Sequence, residues 1–144
     1  MFSWFKTFFA RHVSGTTSSG ADGERAAEEF LRRERGFAIV ARNWRSPRDR
    51  RDEIDLVCRD GETLVFIEVK TRTSGALVPG YYAVTAHKKK ILRRACAAYL
   101  RALSPDARPP TFRFDVVEVA TSADGARPEV RHFENVSVFP KNFL

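Results

Sequence analysis

Cysteine is scarce in this chain. Only Cys58 and Cys96 occur among 144 residues, each inside an apolar pattern. That excludes a disulfide framework, gives no zinc-ligand spacing, and predicts a reducing, cytoplasmic setting. Long apolar runs are also missing. Met1 to Ala10 gathers Phe2, Trp4, Phe5, Phe8 and Phe9 around Lys6, but the run is too short to span a bilayer and lacks a signal-peptide layout. No membrane span is therefore expected. Residues 1–21 read as an aromatic tail with a small, polar linker from Ser14 to Gly20. An interfacial helix or a partner-docking motif is the other reading of the same stretch. Acidic residues are outnumbered, 18 against 25 Lys and Arg, which leaves a net charge of +7 and a pI near 9.9. A basic excess carried mostly by arginine suits a polyanionic partner.

What is present is enough for one domain, residues 22–144. The 43% hydrophobic content in a chain of this length supports a real core. Asp22 is a good N-cap, and Gly23 to about Arg35 has helical spacing, with Ala26, Ala27, Phe30 and Leu31 as its buried stripe and Gly36 as its stop. A strand over Phe37–Arg42 follows, then a basic loop to Arg51, two further strands, and a loop from Thr73 to Gly80. The spacing predicts a second helix from near Thr85 to Leu103, with Ile91, Leu92, Ala95, Tyr99 and Leu103 inward. Ser104 to Pro110 breaks it. Phe112–Val119 and Val130–Phe133 read as strands. The order α-β-β-β-α-β-β indicates an α/β sandwich with a mixed sheet.

The most informative stretch runs from Glu53 to Lys70. Two runs rich in Ile, Val, Leu and Phe are joined through Asp60-Gly61, a hairpin signal. A type I′ turn there would set Arg59 opposite Glu62, Asp55 opposite Phe66 and Glu53 opposite Glu68. Alternation would then give one apolar face of Ile54, Leu56, Cys58, Val65, Ile67 and Val69. The other face would carry Val57, Leu64 and Phe66 near the turn and Asp55, Glu53, Glu68 and Lys70 at the far end. Asp55 and Glu68 would be diagonal neighbours, roughly 7–8 Å apart at the backbone. Gathered carboxylates repel unless a cation or proton lies between them, and Mg²⁺ wants one or two carboxylates plus waters and phosphate oxygens. Lys70 would be placed to act on an attacking water or on phosphate charge. A wet cross-strand Glu–Lys cluster is the plain alternative.

Charge placement on the helices adds to this. Glu24 in the first turn of its helix would complement the macrodipole without any catalytic role. His87, Lys88, Lys89 and Lys90 occupy the start of the second helix, the wrong end for cations unless phosphates approach it. Lys88 lies one turn before Leu92 and so points toward the domain. Lys89 and Lys90 face outward and, with Arg93 and Arg94, make a basic surface.

These residues carry a resemblance. Gly23-Glu24-Arg25-Ala26-Ala27, Arg42-Asn43-Trp44-Arg45, Glu53-Ile54-Asp55-Leu56, Val65 through Arg72, Ala83-Val84-Thr85 with Lys88, and Arg113-Phe114-Asp115-Val116 occur in this order. The chain resembles the YraN family of bacterial proteins, which is similar to Holliday-junction resolvases and the wider PD-(D/E)XK nucleases. The likeness covers roughly Asp22 to the C-terminus. It implies a restriction-endonuclease-like mixed β-sheet flanked by helices. It also implies that Asp55, Glu68 and Lys70 match the D…ExK signature, with Glu24 as the helix-borne acid. Two departures stand out: the glycine that usually precedes E-I-D-L is Asp52 here, and the loop from Ser46 to Asp52 is longer than typical.

The resulting expectation is a Mg²⁺- or Mn²⁺-dependent endonuclease acting on DNA. Asp55, Glu68 and the Val69 carbonyl would hold the metal, and Glu24 would complete the acidic cluster. Arg42, Arg45, Arg48, Arg50, Arg51 and Arg72, together with Lys88, Lys89, Lys90, Arg93 and Arg94, would contact the phosphate backbone. Resolvase-like enzymes often cut as dimers, so the resemblance also admits a homodimer. The competing classes are a non-catalytic nucleic-acid-binding module on the same fold and an interaction protein that docks through its aromatic tail.

Overall fold

The computed structural model describes residues 18–73 and 85–143. The aromatic tail and most of the loop expected over Thr73–Gly80 lie outside the described residues. Helix α1 spans Ser18–Arg33. Strands β1 (Ala38–Arg45), β2 (Glu53–Asp60) and β3 (Thr63–Thr73) follow. Helix α2 (Ala86–Ala102), a 3₁₀ turn (Pro105–Ala107), β4 (Thr111–Thr121) and β5 (Glu129–Phe133) complete the described elements. Sheet order equals chain order, β1-β2-β3-β4-β5. Only β3 and β4 are parallel, so the sheet is mixed, with α2 bridging the parallel pair as that connection requires.

The helices cover opposite faces. On one side Ala27 and Leu31 of α1 pack with Phe37, Leu56, Cys58, Val65, Ile67, Val69, Val117 and Val119. On the other, Ile91, Leu92, Ala95, Cys96, Tyr99 and Leu100 of α2 pack with Leu64, Phe66, Phe114 and Val116. Edge-to-face contacts link Trp44 to Tyr99 and Tyr99 to Phe66, with ring centroids 5.2 and 5.6 Å apart. The C-terminal Phe139 adds a third such contact to Phe66 at 6.3 Å.

Helix α1 begins four residues before Asp22. Asp22 is therefore not its N-cap, and Glu24 lies in the second turn, away from the positive end of the macrodipole. Gly23 is accommodated within the helix, and its bare Cα lets a neighbour come close. A Cβ at Gly23 would lie 2.0 Å from Thr71 Oγ1. At the other end Gly36 turns left-handed with φ +68, and Phe37 N–H returns to the Leu31 carbonyl at 2.9 Å, closing the helix at its glycine stop.

The hairpin turn sits one residue later than expected. Asp60 pairs with Thr63, so Gly61-Glu62 is the two-residue loop. Gly61 has φ +59 while Glu62 is not among the positive-φ residues, the pattern of a II′ turn with glycine first. The pairing moves by two residues relative to an Asp60-Gly61 turn. An even shift preserves which residues share a face. Ile54 nevertheless departs from its expected face and packs on the α2 side. The cause is a twist at Asn43, whose φ is +47. Ala41 and Trp44, three residues apart, consequently both pack against the α2-side cluster, and β2 follows because Trp44 pairs with Ile54.

Candidate active site

The site grows from the end of the β2–β3 ladder. Pairing runs from Asp60↔Thr63 to Leu56↔Ile67, and one step further Asp55 comes level with Glu68. There a side chain enters the ladder: Val69 N–H donates to Asp55 Oδ2 at 2.9 Å. Asp55 is 2% exposed, so this carboxylate is fixed between the strands. The N–H and C=O of one strand residue face the same neighbour, which turns the Val69 carbonyl toward Asp55 as well.

Alternation along β3 places Glu68 and Lys70 on the α2 face, following Leu64 and Phe66. The apolar stripe of α2 has run out at this level, and a buried polar layer replaces it. Glu68 and Lys70 are 5% and 6% exposed. Burial pulls the Lys70 ammonium down to about 8, while Glu68 beside it favours the charged form and Lys88 and Arg72 oppose it. Lys88 descends from the first turn of α2, its N–H capped by Thr85 Oγ1 at 3.3 Å. Burial lowers its pKa, and Glu68 works the other way.

Glu118 belongs to this layer although the sequence did not single it out. It pairs with Lys70 across the parallel strands, is 7% exposed, and approaches Arg72 Nε to 3.5 Å. The signal that identifies it is the β3–β4 register, which sequence spacing does not reveal. Arg72 is consequently one half of a buried ion pair.

Glu24 approaches from the opposite layer. Its neighbour Gly23 touches Thr71, which brings α1 to the same end of β3. Among the described residues, however, no three His, Cys, Asp or Glu side chains are grouped to hold a metal. An all-protein cage is therefore absent from that part of the chain. Two buried carboxylates and a backbone carbonyl form an open, all-oxygen set. That suits Mg²⁺, which keeps several waters and takes phosphate oxygens as its other ligands.

The basic residues separate into two groups. Arg42 is bidentate on Glu28, with Nε–Oε2 at 2.8 Å. Arg45 reaches Glu53 at 3.2 Å. Arg51 pairs with Asp49 at 2.9 Å, an arrangement that pulls the Asp49 pKa down to about 2. Arg93 Nη1 donates to the Val138 carbonyl at 3.0 Å, and Arg94 grips Asp52 through two bonds of 2.7 and 2.6 Å. Arg42, Arg45, Arg93 and Arg94 tie separate segments together, and Arg51 is held within its own loop. Arg48, Arg50, Lys89 and Lys90 make no side-chain ion pair among the described residues, and Arg48, Arg50 and Lys90 are exposed.

A second buried polar cluster lies on the α1 side. Asp115, fully buried, accepts from Arg113 Nε at 3.0 Å, from Asn135 N at 2.9 Å, and contacts His132 Nε2 at 2.8 Å. Arg113 also reaches Asp60 at 3.0 Å and stacks over Phe37. This accounts structurally for the Arg113-Phe114-Asp115 motif: it ties β5 and the segment after it to the sheet.

Among the described residues, a five-stranded mixed sheet with one helix on each face is an α/β architecture consistent with a restriction-endonuclease-like fold. The family model described as "Uncharacterised protein family UPF0102" matches residues 23–119, and the chain belongs to that family. A UPF0102 protein of Beutenbergia cavernae is 47% identical over 117 residues, 81% of this chain and 93% of that one. Another, from Anaeromyxobacter dehalogenans, is 47% identical over 119 residues, 83% of each chain. A third, from Symbiobacterium thermophilum, is 47% identical over 106 residues, 74% of this chain and 85% of that one. The matched range takes in Glu24, Asp55, Glu68, Lys70 and Glu118. Among the described residues no helix is long and apolar enough to cross a membrane.

Proposed function

We propose that this chain is a Mg²⁺- or Mn²⁺-dependent, resolvase-like endonuclease that hydrolyses phosphodiester bonds in DNA during DNA processing in the cytoplasm. The observation that carries this reading is the bond from Val69 N–H to Asp55. It holds one carboxylate against the strand that bears Glu68 and Lys70, inside a layer nearly closed to bulk water. Asp55, Glu68 and the Val69 carbonyl would hold the metal. Once bound, it supplies Lewis-acid polarisation of the scissile phosphate and a more acidic water. Lys70 would position that water and the phosphate oxygen. With its pKa near 8 it can exchange a proton at neutral pH, as general acid–base work requires. Arg48, Arg50, Lys89 and Lys90 would hold the backbone without reading bases.

The test is a panel of branched and linear DNAs incubated with the full chain and Mg²⁺ or Mn²⁺. Wild type should cut at least one of them. Asp55→Asn and Glu68→Gln should abolish cutting with DNA binding retained, and Lys70→Ala should do so with metal uptake retained. Full activity in both carboxylate variants would place the chemistry elsewhere. DNA binding by wild type without cleavage or divalent-metal uptake would return the chain to a non-catalytic binding module.

A further inference from the structure

The departure at Asp52 has a structural consequence. Loop 46–52 joins β1 to β2 and is closed on itself: Ser46 N–H donates to the Asp52 carbonyl at 2.9 Å, and Asp52 N–H donates to the Asp49 carbonyl at 2.9 Å. Arg48 N–H donates to Ser46 Oγ at 3.3 Å. The loop is then tied to α2, because Arg94 binds both oxygens of Asp52 and lies 4.0 Å from Asp49. The Asp52 side chain is 3% exposed. Planar, bidentate pairing of this kind fixes orientation as well as distance.

We infer that Asp52 and Arg94 form a latch that holds loop 46–52 in place, so that Arg48 and Arg50 grip a nucleic-acid phosphate adjoining the one at Asp55 and Glu68. The inference rests on the nucleic-acid reading above. In that role Arg94 is a positioning residue rather than a phosphate contact. Among the described residues the two arginines of the latched loop, Arg48 and Arg50, are exposed and make no ion pair, while Arg51 beside them is spent on Asp49. Asp55 follows Asp52 by three residues, about 10 Å of strand. A phosphodiester chain crossing Asp55 therefore runs past the loop. A lipid surface fits poorly, because the large exposed hydrophobic among the described residues is Val40, far from an apolar anchor at this loop. Fixing the loop in advance lowers the ordering cost of binding.

The decisive property is one of sign. Asp52→Asn removes a negative charge, so charge alone predicts tighter DNA binding, whereas the latch predicts weaker binding. Binding of a labelled DNA duplex is measured against salt for wild type, Asp52→Asn, and the double variant Arg48→Ala/Arg50→Ala. Each phosphate contact contributes roughly 0.9 to the slope of log affinity on log salt. Both variants should bind more weakly and lose up to about two units of slope. Trypsin should also cut Asp52→Asn faster than wild type after Arg48 and Arg50, a readout independent of DNA. The double variant changes only exposed side chains and keeps the question open should Asp52→Asn fail to fold. Asp52→Asn binding as tightly as wild type or more so, or an unchanged slope in the double variant, overturns the latch while leaving DNA binding standing. No duplex binding by wild type overturns both.

Discussion

The Asp55 carboxylate stands where a strand would, accepting the Val69 N–H at 2.9 Å just past the last β2–β3 backbone pair, Leu56 with Ile67. One oxygen is thereby committed to the fold, and the residue has two duties that substitution can separate.

Asp55→Asn retains an acceptor for Val69 N–H, whereas Asp55→Ala leaves that buried donor unsatisfied. The alanine variant should lose about 1–3 kcal/mol of unfolding free energy, the cost of an unmade buried hydrogen bond, and the asparagine variant clearly less. Cleavage should be lost in both. Chemical denaturation of the three proteins checks the first statement. Equal destabilisation by Asn and Ala would show that charge, not the accepted bond, anchors β2 to β3.

Gly23→Ala would normally favour a helix by up to about 1 kcal/mol. Here the added carbon would lie 2.0 Å from Thr71 Oγ1 and 3.1 Å from Thr71 Cβ. Overpacking of this kind typically costs about 1–3 kcal/mol, so the variant should melt lower than wild type. Thr71→Ala should recover part of the loss when combined with it, since the nearest clashing atom is gone. A Gly23→Ala protein as stable as wild type would mean that α1 and β3 are not in close contact.

Cys58 and Cys96 sit on opposite sides of the sheet, so they cannot form a bond within one molecule. Burial pushes the Cys58 thiol up to about 12 and the Cys96 thiol well above its ordinary value. Since the thiolate is the nucleophile, both should resist alkylation in the native protein and react only after unfolding. Rapid labelling of either under native conditions would contradict that packing.

Much of this arrangement was legible in the sequence because it depends on local periodicity. The stripe of α1, the inward side of α2, the element order, and the placement of Lys88 toward the domain all follow from spacing. Glu68 and Lys70 share a face because they are two apart, which survives any even change of register. What escaped depends on partners remote in sequence. Gly61 took the first turn position with Asp60 left in the strand, where Asp60 meets Arg113 from β4. Ile54 changed sides because Asn43 on the neighbouring strand twists. Glu118 entered the polar layer through a parallel pairing. Arg42 and Arg94 looked like surface charge, yet each is held by a carboxylate that only the fold brings within reach.

Asp115 yields a prediction whose sign can be worked out. Burial alone would raise its pKa, but the bonds from His132, Arg113 and the Asn135 N–H outweigh that and leave it below the ordinary 3.8. Between that lowered value and 3.8 the unfolded chain binds more protons than the folded one, so stability rises with pH across the window. The contribution of Asp115 is fully present above 3.8 and is lost as pH falls through the folded value. Asp115→Asn should therefore be less stable than wild type at neutral pH, by up to about 3–5 kcal/mol for a broken buried pair, moderated because Arg113 keeps Asp60. The difference between the two proteins should shrink as pH falls below 3.8 toward the lowered folded value, beneath which the wild-type carboxyl is protonated and equally uncharged. Thermal or urea unfolding measured from pH 7 down to acid would follow both curves. A gap that stays constant with pH would show that the ionised form of Asp115 does not hold β5 to the sheet.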